Sequence, residues 1–291
     1  MRSCKKKEQS GRIPFLRGGE EETAGTESGW ESRMIFDTHA HYDDIQFDPD
    51  REELLAQMRA EGVGTIVNAS ATVASWEKIR ELTRRYPFLY GMIGVHPDEV
   101  GDLDEETFSR MERLLLEEEK IVAVGEIGLD YYWDKESHVI QKQWFIRQLE
   151  LAKRTNYPVN IHSREAAADT MDILRKYGRG MKAIIHCYSY SREMAEEYVR
   201  MGYLIGVGGV ATFKNARKLK EVIQAVPLSH IVLETDCPYL APEPYRGKRN
   251  SSLYLSYVAQ AIAELKEISP EEVIKVTEEN AMAFYAIRRR G

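Results

Sequence analysis

Residues 34–41 read Met-Ile-Phe-Asp-Thr-His-Ala-His, a short apolar run that ends in metal-binding side-chain types. Similar apolar runs occur eight times along the chain, at Ile35–Asp37, Thr65–Asn68, Leu89–Val95, Ile121–Glu126, Val159–His162, Ala183–His186, Tyr203–Val207 and Ile231–Glu234. Segments with helical spacing of apolar residues lie between them. The chain therefore alternates predicted strands with predicted helices.

The helix-like segments have the roughly 3.6-residue period of amphipathic helices. They are Glu52–Glu61, Val73–Tyr86, Glu105–Glu118, Glu136–Thr155, Ala166–Tyr177, Arg192–Met201, Ala216–Ala225 and Leu253–Lys266. A last helix is predicted to begin at Pro270, because proline suits the first helical position. Strand and helix alternation indicates a parallel sheet with right-handed crossovers. Eight repeats over roughly 250 residues predict an α/β fold of the (β/α)8 TIM-barrel type. An open doubly wound sheet is the alternative.

The 291-residue chain is 43% hydrophobic and 30% charged, which is ordinary for a globular domain and excludes a wholly disordered chain. No stretch approaches the ~18 uncharged apolar residues of a membrane helix, so we expect no membrane association. Three cysteines are too few for a disulfide framework and favour a reducing, cytoplasmic environment. No feature of the sequence indicates an obligate protein partner.

Residues 1–33 lack apolar periodicity and are rich in Gly, Glu, Ser and Arg. We predict a disordered N-terminal extension over residues 1–33 and a single domain over residues 34–291. The extension has seven basic and six acidic residues, which give it a net charge of +1. Because the whole chain has a net charge of −7, residues 34–291 have a net charge of −8. Such an acidic domain is not expected to coat duplex DNA, but it can hold one phosphate chain in a local basic or metal-lined cleft.

Side chains suited to metal binding lie at or just after the predicted strand ends: His39, His41, His96, Glu126, His162, His186 and Asp236. In a barrel, the carboxyl ends of the strands meet at one rim, where active sites lie. Residues i and i+2 of a strand point to the same side, so His39 and His41 can bind one ion together. Imidazole and carboxylate ligands suit Zn²⁺ or Mn²⁺, and carboxylate also suits Mg²⁺.

Each of these residues also has a simpler interpretation. A single histidine after a strand is more often a hydrogen-bonded loop residue. Glu126 could cap the next helix, and Asp236 could form a turn. The joint occurrence of so many ligand types at one rim nevertheless favours a metal centre, in which Glu126 could bridge two ions.

Six motifs occur in order between Met34 and about Tyr285. They are DTHAH at Asp37–His41, GVHP at Gly94–Pro97, GEIGLDYY at Gly125–Tyr132, NIHSR at Asn160–Arg164, IHCY at Ile185–Tyr188 and ETDCPYLAP at Glu234–Pro242. Together they resemble the TatD family of metal-dependent hydrolases, within the amidohydrolase-like barrels. Nothing in residues 1–33 resembles the family.

The resemblance implies two divalent metal ions per chain, Mg²⁺, Mn²⁺ or Zn²⁺. Carried over position by position, it implies that one ion is held by His39, His41, Glu126 and Asp236. It implies that the other is held by Glu126, His162 and His186. Glu126 and Asp236 would then be the catalytic residues, and Asp236 would orient or deprotonate a water whose pKa the ions lower.

A phosphate-containing substrate needs positively charged or N–H donors. Arg164 follows the His162 strand end and could grip a phosphate, although an ion pair with Glu165 is the alternative. The glycine-rich segment 206–211 follows the seventh strand, where barrels commonly bind phosphate through backbone N–H groups. Lys214 would add a donor beside it.

The segment Tyr245–Asn250, YRGKRN, follows the eighth strand and is similar to the family's RGKRN segment. Its Arg246 and Lys248 are candidate phosphate ligands, although a solvated basic loop is equally consistent. His96 is a further candidate contact for the substrate. The aromatic residues 131–133 could stack on a base or plug the barrel mouth.

The resemblance makes phosphodiester hydrolysis from the 3′ end of single-stranded DNA or RNA the favoured activity. The alternative is hydrolysis of an ester or amide at the same site, for instance by a D-aminoacyl-tRNA deacylase. A third hypothesis is a non-catalytic binding module that kept the fold, although such a module usually loses a metal ligand. The expected partner is a nucleic-acid end or a nucleotide-like substrate.

Overall fold

The structure is a computed structural model that describes residues 33–133 and 136–288. Except for Arg33, the extension predicted over residues 1–33 lies outside the described residues. Eight strands alternate with helices, as the sequence predicts: β1 Ile35–Ala40, β2 Val63–Ala69, β3 Leu89–Ile93, β4 Ile121–Asp130, β5 Val159–Arg164, β6 Ala183–Ile185, β7 Leu204–Val207 and β8 Ile231–Leu233.

The strands pair in chain order from β1 to β8, and every pair is parallel. The first and last strands also approach each other. Ala40 bridges to Cys237, and the His41 N–H donates to the Cys237 carbonyl oxygen at 2.8 Å. The sheet is therefore a nearly closed barrel, and the predicted (β/α)8 TIM-barrel fold is confirmed.

The main helices pack around the barrel. They are α1 Arg51–Gln57, α2 Ser75–Arg85, α3 Glu105–Glu117, α4 His138–Thr155, α5 Ala167–Tyr177, α6 Arg192–Arg200, α7 Arg217–Ala225, α8 Leu255–Lys266 and α9 Pro270–Tyr285. Pro270 starts α9 as predicted, and the Ser269 side chain caps it by accepting from the Glu272 N–H. Helix α1 ends four residues before the predicted Glu61, ahead of a turn in which Gly62 has a φ of 85°. In the described part of the chain, no helix is both long and apolar enough to cross a membrane.

Two apolar clusters build the core. The larger one lies between strands and surrounding helices. The smaller one joins buried strand residues, among them Phe36 and Met92, to Phe284 and Tyr285 of α9. The Phe36 and Tyr285 rings stack with centroids 5.8 Å apart, and the Tyr285 hydroxyl donates to the Thr38 carbonyl oxygen. Helix α9 thus packs against the interior of the barrel, and the polar strand-end residues gather at the carboxyl rim.

Candidate metal centre

Strand β1 contains His39 and ends one residue before His41, and the Nε2 atoms of the two histidines lie 3.0 Å apart at the barrel rim. The other nitrogen of each ring is held by an oxygen. His39 Nδ1 lies 2.9 Å from Asn160 Oδ1, and His41 Nδ1 lies 3.0 Å from the Ala69 carbonyl oxygen. Because these oxygens accept, each Nδ1 is the donor, so two neutral rings would present Nε2 lone pairs to each other. The arrangement calls for a positive charge between them, either a proton or a metal ion.

Glu126 lies within strand β4 and faces both sides of the site. Its Oε2 is 3.4 Å from His39 Nε2 and 3.7 Å from His41 Nε2. Its Oε1 is 2.8 Å from His162 Nδ1 and 3.7 Å from His186 Nε2. The two oxygens of one buried carboxylate therefore face two different groups of imidazoles, which is the arrangement that a bridging ligand needs.

Asp236 follows β8 and also approaches the imidazoles of His39, His41 and His186. Its Oδ1 lies 3.3 Å from His41 Nε2 and 3.8 Å from the Nε2 atoms of His39 and His186. Among the groups of three ligand atoms that lie mutually within 4.8 Å are His39, His41 and Asp236, and His39, Glu126 and His186. Mixed imidazole and carboxylate donors of this kind suit a divalent transition metal, and the residues present fit such an ion.

The charges in this site are strongly coupled. Burial alone would raise the Glu126 pKa, but the charges of His39 and His186 and the hydrogen bond from His162 hold it well below its ordinary value. Burial alone would lower the pKa values of His41 and His186. The acidic neighbours of the two rings have the larger effect and raise both pKa values to about 9. In the metal-free protein, the site therefore balances carboxylate charge with protonated imidazoles.

His162 takes a second carboxylate partner that sequence reasoning missed. Its Nε2 lies 3.1 Å from Asp130 Oδ2, while its Nδ1 faces Glu126. Burial lowers the His162 pKa, but hydrogen bonds with Asp130 and Glu126 outweigh it and raise the pKa to about 10. His162 and His186 both face Glu126 Oε1, but their ring centroids are 6.3 Å apart. His162 instead forms a third group of ligand atoms with His96 and Asp130.

His96 lies beside this group, at the start of a 3-10 helix, Pro97–Asp102. Its Nδ1 accepts from the Asp98 N–H at 3.2 Å, and its Nε2 lies 4.0 Å from Glu126 Oε1. Burial and the charge of His162 lower its pKa to about 3. A neutral His96 ring therefore borders the candidate centre.

Asp37 of β1 forms hydrogen bonds with residues that follow β8, and so joins the first strand of the barrel to the last. Its Oδ2 accepts from Thr235 Oγ1 at 2.7 Å and from Ser252 Oγ at 2.6 Å. Ser251 and Ser252 directly follow the YRGKRN segment. Both residues make defined hydrogen bonds. The Ser251 side chain caps a short 3-10 helix, and the Ser252 hydroxyl donates to Asp37.

Of the predicted substrate residues, His96 borders the central cluster, with its Nε2 4.0 Å from Glu126 Oε1. The other four are exposed at the rim: Arg164, Lys214, Arg246 and Lys248. Among the residues that the structure describes, none of these four has a hydrogen bond or ion pair to the central cluster. The Arg164 guanidinium lies over the Tyr132 ring, 3.8 Å from its centroid, and 5.5 Å from the Trp133 centroid. Arg246 lies over Phe213, and Lys248 lies near Tyr245. Lys214 is exposed. Within the described ranges, the alternative ion pair between Arg164 and Glu165 does not form.

A parallel eight-stranded barrel with imidazoles and carboxylates converging at its carboxyl rim defines the class of barrel metal-dependent hydrolases. The model of the family described as TatD related DNase matches residues 36–286. The chain therefore belongs to the TatD family and is a metal-dependent hydrolase, as its motifs indicate.

Individual relatives agree with this assignment. The chain is 43% identical to the uncharacterized metal-dependent hydrolase YabD of Bacillus subtilis, over 87% of this chain and 100% of the relative. It is 33% identical to the human deoxyribonuclease TATDN3, over 86% of this chain and 94% of the relative. The crystal structure of the TatD homolog YjjV from Escherichia coli superimposes with a TM-score of 0.82 at 30% identity, over 87% of this chain and 98% of that one.

Proposed function

We propose that this enzyme hydrolyses phosphodiester bonds at the 3′ end of single-stranded DNA or RNA. The observation that carries the proposal is the position of Glu126, whose two oxygens face two separate groups of imidazoles. Pairs of metal ions are common in enzymes that cleave phosphodiesters. The human relative that is named a deoxyribonuclease supports the same substrate class.

In this proposal, two divalent ions, Mg²⁺, Mn²⁺ or Zn²⁺, occupy the site. One ion would be held by four residues, His39, His41, Glu126 and Asp236. The other would be held by Glu126, His162 and His186. When bound, the ions would supply Lewis acidity and a water of lowered pKa.

Asp236 is suited to orient that water and accept its proton. Burial would raise its pKa, but the hydrogen bond from His41 and the neighbouring imidazole charges lower the pKa below its ordinary value. Its side chain is 20% exposed, compared with 5% for Glu126. Asp236 is therefore an ionised carboxylate that a substrate can reach.

The rim offers contacts for a single strand. The Tyr132 and Trp133 side chains are 48% and 67% exposed, and Arg164 stacks on the first of them. Aromatic and guanidinium planes of this kind bind unpaired bases without reading their sequence. His96, Lys214, Arg246 and Lys248 complete the proposed set of substrate contacts. The free thiols of Cys187 and Cys237 support a reducing compartment such as the cytoplasm.

The test is metal-dependent turnover. The protein is stripped with chelator, supplied separately with Mg²⁺, Mn²⁺ or Zn²⁺, and mixed with single-stranded oligonucleotides labelled at the 5′ or 3′ end. We expect a ladder that shortens from the 3′ end only when metal is present. An intact oligonucleotide in the presence of bound metal would contradict the proposal and direct the search to ester or amide bonds, starting with D-aminoacyl-tRNA.

A further inference from the structure

A cavity of about 440 Å³ opens beside Asp236 at the barrel rim. Its walls come from the segments after β6 and β7, the start of α7 and the end of β8. Asp236 and Cys187 line this cavity, and with His186 they also form one of the groups of ligand atoms at the metal centre. A substrate whose reacting bond lies at the metal centre would therefore place a neighbouring group in the cavity.

Glycines keep the walls of the cavity close to one another. A Cβ atom at Gly209 would lie 2.1 Å from the Leu240 carbonyl oxygen, and one at Gly206 would lie 2.3 Å from Glu234 Oε2. These contacts involve the protein's own neighbouring segments. The glycines therefore set the position of the walls, and the cavity is preformed.

The interior of the cavity is largely apolar. Tyr188, Val210, Ala216, Leu219 and Leu240 contribute to it. The Tyr188 ring is held in place because its hydroxyl donates to the Ser191 carbonyl oxygen at 2.6 Å. A fixed, apolar space of this size suits a compact ring system with hydrophobic faces.

The mouth of the cavity is polar. Ser189, Asn215 and Lys218 line it and are exposed. Within residues 33–133 and 136–288, no side-chain hydrogen bond or ion pair engages them. The Asn215 amide offers one acceptor and two donor hydrogens, which match the mixed edge of a nucleobase. Lys218 offers a positive charge to a phosphate chain that passes the mouth.

We infer that this cavity receives the nucleobase of the terminal nucleotide. The base enters with its faces against the apolar walls and its polar edge toward Asn215. The phosphate of the same nucleotide then lies beside Asp236. This assignment rests on the proposed hydrolysis of nucleic-acid ends. An apolar acyl group of an aminoacyl ester would fill the same interior but would leave the exposed Asn215 amide bonded to water.

The test compares the binding of two small molecules by calorimetry, using the full chain supplied with Mn²⁺. The probes are deoxyadenosine 5′-monophosphate and 2-deoxyribose 5-phosphate, which share the phosphate and the sugar and differ in the base. We expect the nucleotide to bind about tenfold more tightly or better, since holding one base commonly contributes a factor of this order. Equal affinities would overturn the inference.

Two variants locate the effect in the cavity. Val210→Trp fills the interior and should bring the two affinities within about twofold of each other. Asn215→Ala changes an exposed side chain, so the fold is retained, and it should reduce the ratio several-fold. Leu116→Trp is the matched control, since Leu116 is 65% exposed on α3. It should leave the ratio unchanged.

The outcomes separate this inference from the proposed function. Metal-dependent hydrolysis of oligonucleotides with equal affinities for the two probes would retain the function and overturn the cavity assignment. A tenfold ratio that Val210→Trp removes would support the cavity assignment even without turnover of any oligonucleotide. A folded Val210→Trp protein that keeps the ratio would overturn the assignment. Equal affinities of the unsubstituted protein for the two probes, combined with a loss of aminoacyl-tRNA hydrolysis in Val210→Trp, would also overturn the assignment and would assign the cavity to an acyl group.

Discussion

Glu234 lies directly behind His186, with Glu234 Oε2 3.3 Å from His186 Nδ1. The carboxylate is only 1% exposed, and its Oε1 accepts from the Cys187 N–H at 2.5 Å. In the described part of the chain, neither Oε2 nor Nδ1 has a hydrogen-bond partner, so the 3.3 Å ion-pair contact is what each of these buried atoms faces. Glu234 therefore holds the His186 ring so that its Nε2 faces Glu126 and Asp236. Carboxylates in this position are known to orient metal-binding histidines.

The first prediction concerns Glu234. Glu234→Ala should weaken metal affinity by about 10- to 100-fold, because the His186 ring loses the partner that orients it. Glu234→Gln should restore part of the loss, since the amide keeps the side chain in place. Equilibrium dialysis followed by metal analysis measures the effect. Glu53→Ala, an exposed change on α1, serves as the control. Wild-type metal affinity in a folded Glu234→Ala protein would show that the contact has no such role.

The second prediction changes the neighbour of Glu234 and leaves the carboxylate in the chain. The Cβ of Gly206→Ala would lie 2.3 Å from Glu234 Oε2, so the Glu234 side chain must move and metal affinity should fall. Both substitutions act through the same contact. Gly206→Ala should therefore cause little further loss of metal affinity in a protein that already carries Glu234→Ala. Gly101→Ala is the control, since nothing lies within 4 Å of a Cβ atom there. If the two losses in the free energy of metal binding add fully, Gly206 affects metal binding by a mechanism that does not involve Glu234.

The barrel could be predicted from the sequence because eight short apolar runs alternate with segments of helical spacing. Even β6 and β8, with three residues each, are identified by the runs that precede His186 and Glu234. The convergence of the candidate metal ligands follows from the fold, since all parallel strands end at one rim.

The hydrogen-bond partners of these side chains could not be predicted in the same way. Strand β4 continues four residues beyond the predicted end at Glu126, to Asp130. Residues i and i+4 of a strand share a face, so Asp130 reaches His162, whereas a strand that ended at Glu126 would leave Asp130 in a loop. The contact of Asn160 with His39 likewise joins strands that are distant in sequence. Such contacts depend on how strands are staggered, which periodicity does not encode.

The third prediction concerns pH. The pKa values of His41 and His186 are about 9, and that of His162 is about 10, so these rings carry protons at pH 7 in the metal-free protein. A metal ion binds only the deprotonated ring, so binding must release protons. Metal affinity should therefore rise with pH until these groups have lost their protons, near pH 9 to 10. Calorimetry at pH 7 in buffers of different ionisation enthalpy should detect about two or more released protons. Release of none would contradict the charge balance described for the site.

The fourth prediction concerns the basic segment after β8. Lys248 is exposed near the Tyr245 ring, 5.5 Å from its centroid. Lys248→Ala should raise the KM for a single-stranded oligonucleotide and reduce the salt dependence of binding by about one phosphate contact, with kcat little changed. Lys78→Ala, on the outer helix α2, is the control. An unchanged salt slope would remove Lys248 from the path of the substrate.

The fifth prediction tests the centre of the site. The two Glu126 oxygens face His39 and His41 on one side and His162 and His186 on the other. Glu126→Gln keeps the volume but removes the negative charge, so both metal binding and turnover should fall, with turnover lowered by at least about 10²-fold. Glu126→Ala should have the same effect with the fold retained, as circular dichroism can verify. The measurement that matters is turnover at saturating metal, because it separates weaker binding from lost chemistry. Wild-type turnover by a metal-saturated Glu126→Ala protein would mean that the reacting bond lies elsewhere on the rim.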